Sequence, residues 1–521
     1  MEELDTYRQQ DRSQTSARSR FIAKEKWAQG VAVVLIFIIG FFIRLYDLTD
    51  PPLDFHEARQ LYSAVIARGM YYEMDSTAPE DKRELAIAFW RSIPLLEPQI
   101  QERLVATTYL LVGEEHLWIA RIYSSFFWVS AAIAVYSLAK RISSFYGAII
   151  ATGIYLFLPF GIIASRSFQP DPLMVSLLVW ATWALYRWID KQKWIFAILA
   201  GLLCGFAILV KPVAVFPLLC AGFLLSLSAF NVRQFVTNKQ VWTIILLTLL
   251  PVGINYLFLS DRTVTSFVDS YILSFQSLLT QPRFYIRWTE TINGILGFGT
   301  LVASLLGVTL LKASKERALI IGLWIGYVLY GLAFPFHFMT HNYYHLMIIP
   351  IVALSISPLA GLVFSQISRQ PRIWRIIAMV ILLFAAGFQL WNARVELARV
   401  DYRAEVDGWK RLARELPEDG EILAITQGYG LRLMYYGWVD VHNWPSRADI
   451  EMRELQGDFT FDIEKEFNKR IQGMDYFLIT NFAEFEAQPE LKSILYERFP
   501  NPTRGYAHLI FDLSPENSSQ Q

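Results

Sequence analysis

Charge is scarce in this chain. Of its 521 residues, 18% are Asp, Glu, Lys or Arg, against 54% hydrophobic and 15% aromatic. A soluble protein would carry roughly a quarter charged residues, so the implied solvent is lipid. Neither sign is in excess, since Lys plus Arg and Asp plus Glu both number 47. That excludes the basic face a nucleic-acid binder needs, and no nucleic-acid partner is expected. Cysteine is nearly missing. Cys204 and Cys220 both lie in apolar runs, which excludes a disulfide framework or a cysteine metal site and leaves them as small packing groups. No repeat of fixed period is present, and no inverted pair of interrupted helices of the kind many transporters carry. A cleavable leader is missing too. The first 26 residues are polar, and the run from Trp27 to Tyr46 is too long for a signal-peptide core, so it reads as a retained first membrane helix.

Long apolar runs are what the chain has in abundance. A helix needs about 20 mainly apolar residues to cross the hydrocarbon core. Eleven candidates span 27–46, 117–138, 145–163, 172–189, 194–210, 212–230, 241–259, 292–311, 318–336, 343–364 and 373–392. The pair 194–210 and 212–230 is one apolar stretch divided by Lys211-Pro212. Charge supports the division, because Lys and Arg mark cytoplasmic loops. With a cytoplasmic tail at 1–26, eleven crossings place every basic loop inside: Lys140-Arg141; Lys191 and Lys193; Arg233 and Lys239; Lys312, Lys315 and Arg317; Arg369, Arg372 and Arg375. Residues 47–116 and 260–291 and the chain beyond about 395 then lie outside. Beyond residue 400 the character changes. "GEILAIT", "DYFLIT" and "YAHLIFDL" read as strands and "DIEKEFNKRIQG" as a helix, which predicts a small α/β domain over 400–515 before a disordered tail at 516–521. The expected fold is thus an α-helical polytopic membrane domain over 27–399 with a small extracytoplasmic α/β domain.

Five outward turns carry polar groups at the membrane boundary. "DFHEAR" places Asp54, His56, Glu57 and Arg59 just after the first run. The helical spacing that follows predicts an amphipathic helix lying on the outer membrane surface, with Asp54 as its cap or as part of a site. Glu97-Pro98 stands in the same outer loop, Arg166 and Asp171 in "ASRSFQPDPLMVS", Lys211 at the divided helix, and His341, Tyr343 and Tyr344 in "HFMTHNYYHLMIIP". Charges in or near membrane segments are costly, and their recurrence on one side points to a site. Each has an ordinary alternative. Lys211 can snorkel to the interface, Pro-Asp-Pro can simply start a helix, and the two tyrosines can belong to an aromatic belt.

The acidic motif after the first helix, then "EPQ…YLLVG", "R…PD", "LVKP" and "HNYY…P", resembles in order the GT-C glycosyltransferases. The nearest branch is that of protein O-mannosyltransferases and lipid A aminoarabinose transferases, and the resemblance runs over roughly residues 30–360. It implies a polyprenyl-phosphate-linked sugar as donor, a glycan, lipid or protein as acceptor, and a place in a bacterial plasma membrane. Many members carry Asp-Glu-x-x or Asp-Glu-x-Arg; here His56-Glu57-Ala58-Arg59 follows Asp54, closer to an Asp-x-His-x-x-Arg-Gln pattern. Asp54 is the first choice for the base that activates the acceptor hydroxyl, with Glu57 and His56 as alternatives. Arg59, Lys211 and Arg166 are candidates for the donor phosphate, and Asp171, Tyr343 and Tyr344 for substrate binding. In the manner of some members, Glu97 and His341 are candidates to share a divalent metal ion, or else are a hydrogen-bonded loop pair. A transporter of an amphipathic substrate is the competing reading. It requires polar groups at the middle of interrupted helices rather than at one end.

Overall fold

The computed structural model describes residues 26–94, 97–259, 272–312, 314–417 and 420–514. The expected cytoplasmic tail up to residue 25, part of the 260–291 loop and the end from 515 lie outside the described residues. Within them the chain is a helical bundle capped by a small sheet domain. Seven helices are long and apolar enough to cross a membrane: Lys26–Arg44, Leu117–Ile142, Asp171–Lys191, Lys239–Phe258, Ser314–Ala333, Asn342–Ile367 and Arg372–Leu397. A bent pair, Pro282–Leu296 and Phe298–Thr309, makes eight if counted as one span, and Phe145–Phe157, Trp194–Val210 and Pro212–Leu227 are shorter apolar helices. Each of the eleven expected stretches is therefore largely helical, while seven or eight satisfy the length of a full crossing.

The exceptions have local causes. At 292–311 the chain turns by 92° about Gly297, whose φ of +74° is open to glycine and strained for other residues. At Lys211 the backbone is extended (φ −153°, ψ 116°), as the residue before proline must be to avoid the proline ring, and this ends the Trp194–Val210 helix. Leu158 breaks the expected 145–163 helix in the same way, ahead of Pro159. Elsewhere small residues let the helices close. A Cβ on Gly326 would fall 2.3 Å from the Pro217 Cα, so the Ser314–Ala333 and Val215–Leu227 helices touch backbone to backbone.

The helix Glu57–Met74 departs from the sequence expectation. It was expected on the membrane surface with one polar face, yet Gln60 through Tyr71 are all buried. Helices Glu80–Ser92 and Ile100–Val112 pack on it, and so does the segment Leu433–Gly437 from the far end of the chain. Its polar residues find partners inside instead of water. Ser63 donates to Glu102, and Arg68 donates to Glu115 and to the Tyr435 carbonyl. Leu61, Val65, Tyr109, Trp409, Leu433 and Tyr436 share one apolar cluster, so the first loop and the C-terminal domain are built around a common core.

In the C-terminal domain the strand-like runs form a sheet. Its strands are β1 (Ile422–Ile425), β2 (His442–Asn443), β3 (Tyr476–Ile479), β4 (Thr503–Arg504) and β5 (Leu509–Asp512), in the order β2-β1-β3-β5-β4. β1 is parallel to β2 and β3, and β5 runs antiparallel to β3 and β4. The run "DIEKEFNKRIQG" supplies the helix Ile463–Arg470, capped by Asp462, whose carboxylate accepts from the Lys465 N–H.

Candidate active site

The turns that the sequence scatters over 290 positions meet at one end of the bundle. Asp54 does not cap the helix that follows it. His56 takes the cap position, in the left-handed region with φ +46°, and makes no side-chain cap bond. Asp54 turns instead toward the bundle, where its Oδ1 accepts from Arg121 Nη2 at 3.0 Å and from Gln60 Nε2 at 3.2 Å. Both bonds end on Oδ1; among the described residues Oδ2 accepts none. Arg121 is 1% exposed, so this guanidinium is a fixed buried charge against a carboxylate that is itself partly open.

His56 reaches the opposite wall. Its Nε2 lies 2.7 Å from Asn342 Oδ1, and its ring stands edge-on to Tyr343 at 4.6 Å and 6.1 Å from His341. Burial lowers its pKa, with Arg59 and Lys211 adding repulsion against Asn342 and Asp171, so the imidazole is neutral at pH 7. With Nε2 donating to Asn342, Nδ1 is the acceptor. His341 is pushed down to about 4, by burial first and then by His56, Lys211 and Arg59.

The remaining charges are held in ion pairs. Arg59 Nη2 donates to both Glu97 oxygens at 2.8 and 2.9 Å, while its Nε is buried without a partner among the described residues. Lys211 Nζ donates to Asp171 at 2.8 and 3.0 Å, with both groups buried. The ammonium also lies over the rings of Tyr343 and Tyr344, 5.0 and 4.6 Å from their centroids, which adds cation–π attraction. Glu57 pairs with Arg432 of the C-terminal domain, whose other arm holds Glu405 at 2.6 Å. The loop after β1 follows it in, since a Cβ on Gly428 would lie 3.3 Å from Glu57 Oε1.

His56, Arg59, Glu97, Asp171, Lys211, His341, Tyr343 and Tyr344 thus form one group, and Asp54, two residues before His56, is held beside it by Arg121 and Gln60. Glu57 sits at its edge, committed to the domain contact. Arg166 is set behind it: its guanidinium is buried and donates to the Tyr46 and Asp47 carbonyls, fixing the end of the first helix. For a metal, Glu97 and His341 are two ligands at most. Both Glu97 oxygens are taken by Arg59, and among the described residues no three His, Cys, Asp or Glu side chains come together.

Sequence reasoning missed Arg121, Gln60, Asn342 and Arg432. Arg121 had a usable signal, a lone arginine at the start of an apolar helix, where a charge is expensive without a partner. Gln60 and Asn342 stood inside quoted motifs but carry no charge. Nothing near Arg432 marks it, because its role depends on the docking of a distant domain.

Comparison with known proteins bears on this geometry. Residues 101–257 match the dolichyl-phosphate-mannose-protein mannosyltransferase family. No curated protein sequence matches the chain. Among solved structures, ArnT from Cupriavidus metallidurans bound to undecaprenyl phosphate superposes with a TM-score of 0.59 at 12% identity, covering 95% of this chain and 99% of that one. The chain has the GT-C glycosyltransferase fold. A second GT-C structure is the archaeal oligosaccharyltransferase AglB from Archaeoglobus fulgidus, in complex with an inhibitory peptide and a dolichol-phosphate. It superposes with a TM-score of 0.55 at 11% identity, covering 95% of this chain and 75% of that one. The structural match covers 95% of the chain, beyond the residues 30–360 over which the ordered motifs are similar.

Proposed function

We propose that the protein is a multipass membrane glycosyltransferase that moves a sugar from a polyprenyl-phosphate donor to an acceptor hydroxyl. The observation that carries this reading is the convergence of "DFHEAR", Glu97, Asp171, Lys211 and "HNYY" at one end of a GT-C-fold bundle. Support for the donor class comes from the two relatives, whose structures hold undecaprenyl phosphate and dolichol-phosphate.

Asp54 acts as the base. Arg121 and Gln60 anchor Oδ1 and leave Oδ2 as the oxygen that faces a reactant. The acceptor oxygen attacks the anomeric carbon while its proton passes to Oδ2. The bond from that carbon to the phosphate oxygen breaks, and polyprenyl phosphate leaves with the electron pair. A single displacement inverts the anomeric centre. The leaving group is already a stable anion, so catalysis needs orientation and charge stabilisation more than an acid.

Arg59 holds the phosphate, because Glu97 occupies Nη2 alone and leaves further N–H donors, including the buried Nε. Lys211 supplies a second positive charge, fixed in direction by Asp171 and by the rings of Tyr343 and Tyr344. No step is routed through a metal.

The end of the bundle that carries this cluster is assigned to the extracytoplasmic side, with the C-terminal domain. Labelling of a Glu451→Cys variant in intact cells by an impermeant maleimide tests that side; labelling only after lysis refutes it. The function itself is tested with purified protein and a radiolabelled polyprenyl-phosphate sugar in the presence of envelope extract. Transfer of label out of the donor, with donor retention lowered about tenfold or more by Arg59→Gln, is expected for a charge-assisted phosphate contact. A protein that neither retains the donor nor moves the label overturns the reading.

A further inference from the structure

The opposite end of the bundle holds a second arrangement of charges that the proposed reaction does not use. A cavity of 370 Å3 opens there, lined by Arg141, Ser143, Lys312, Glu316, Pro358 and Leu362. Its neighbours are the last turn of Leu117–Ile142, the first turn of Ser314–Ala333 and the last turns of Asn342–Ile367. Asp190, at the end of Asp171–Lys191, gathers four cations around it: Lys315 at 2.8 Å, Arg141 at 3.3 Å, and Arg187 and Lys191 at 3.9 Å. Lys312 has no carboxylate partner among the described residues. Five cations therefore face two carboxylates, Asp190 and Glu316. The other end is different, because Arg59, Lys211, Arg121 and Arg432 there are each paired with at least one carboxylate.

The cavity has three kinds of wall. Arg141 and Lys312 supply positive charge. Glu316 is 7% exposed; its Oε1 accepts from the Tyr186 hydroxyl at 2.6 Å, while its Oε2 is buried with no partner among the described residues. An oxygen in that state calls for a donor from outside the protein. Leu310 and Leu362 complete the lining, and with Leu306 and Val363 they expose 37–53% of their surface on the flank of the bundle where acyl chains run.

We propose that this cavity is a binding site for an anionic phospholipid of the surrounding membrane whose headgroup carries a hydroxyl. The phosphodiester lies on Arg141 and Lys312, the headgroup hydroxyl donates to Glu316 Oε2, and the acyl chains descend along Leu310 and Leu362. Basic pockets between membrane helices bind anionic headgroups in this way. Basic residues that only set topology need no void between them. Here they surround one large enough for a headgroup, with an acceptor at its back.

The test is native mass spectrometry of the full-length protein from nanodiscs holding equal parts phosphatidylglycerol and phosphatidylcholine. The expected result is selective retention of phosphatidylglycerol, reduced about tenfold or more in the Arg141→Gln/Lys312→Gln variant, since each cation near the surface contributes measurably to anionic lipid binding. An Arg141→Lys/Lys312→Arg variant should keep retention, and Lys469→Gln, an exposed cation of the C-terminal domain, should not change it. A second arm adds millimolar inorganic phosphate. Retention unaffected by phosphate supports a lipid held by both head and tail. Displacement of the lipid by phosphate would overturn the lipid assignment in favour of a free anion. Equal retention of the two lipids, or retention unchanged in the double Gln variant, would overturn the site.

Discussion

The two ends of the helical bundle use charge in opposite ways. At the end with "DFHEAR", four cations each hold a carboxylate, Arg121 with Asp54, Arg59 with Glu97, Lys211 with Asp171 and Arg432 with Glu57, while Arg166 is held by two backbone carbonyls. The pairs are buried or nearly so. At the other end one carboxylate, Asp190, serves four partly exposed cations. Desolvating a charge costs several kcal/mol, so a buried charge persists only with close, well-aligned partners. Exposed charges meet no such demand and can accumulate in one sign. The matched end is thus a geometrically specified site, and the unmatched end is a field that faces anionic lipid.

The contrast can be broken at its strongest point. Lys211→Met leaves Asp171 charged in a buried place and should cost about 3–5 kcal/mol. Lys211→Met with Asp171→Leu should recover most of that stability, because a well-packed apolar pair substitutes for a buried ion pair at little cost. Thermal unfolding in detergent, read by intrinsic fluorescence, measures both. A double variant no more stable than the single one would show that the pair is not the unit proposed here.

Glu102 sharpens the comparison as the matched end's exception. It is buried against the Ser63 hydroxyl with no cation bonded to it, and burial raises its pKa from 4.5 to about 7. The folded state therefore keeps a proton that the unfolded chain loses. Stability should be full below about pH 4.5 and fall as pH rises toward about 7, by roughly 3 kcal/mol in all for this group. Glu102→Gln should flatten that slope and raise the melting temperature at pH 8. An unchanged slope in the variant would assign the pH dependence to other groups. The smallest effect belongs to the opposite end. Asp190→Asn loses contacts to partly exposed cations and should change stability by about 1 kcal/mol or less in the same unfolding assay. A loss as large as that of Lys211→Met would erase the distinction between the two ends.

The sequence displayed one side of this contrast better than the other. The basic loops were legible because topology needs only their sign and spacing. Apolar length predicted where the helices lie, and the strands around Ile422, Tyr476 and Leu509 stood out as β-rich runs between polar helices. The open polar face expected for Glu57–Met74 is covered instead, because periodicity reports which residues are polar, not what packs on them. Gln60, Ser63 and Arg68 are satisfied by Asp54, Glu102 and Glu115, two of which lie on other segments. The candidate residues stand out in the sequence one by one as costly charges. Their pairing was beyond reach, because Lys211 to Asp171 and Glu57 to Arg432 join positions 40 and 375 residues apart. Both of those contacts exist only after the bundle packs and the last domain docks.

The central claim is that Asp54 is the base of a sugar transfer from polyprenyl phosphate. The direct measurement is single-turnover transfer from a labelled polyprenyl-phosphate sugar by wild type and by Asp54→Asn, Glu57→Gln and His56→Ala, with donor retention measured alongside. Asn still offers Oδ1 to Arg121 and Gln60, so the fold and donor binding should survive while transfer falls by about 10²–10⁴. Glu57→Gln and His56→Ala should lose less. Full transfer by Asp54→Asn would contradict the account.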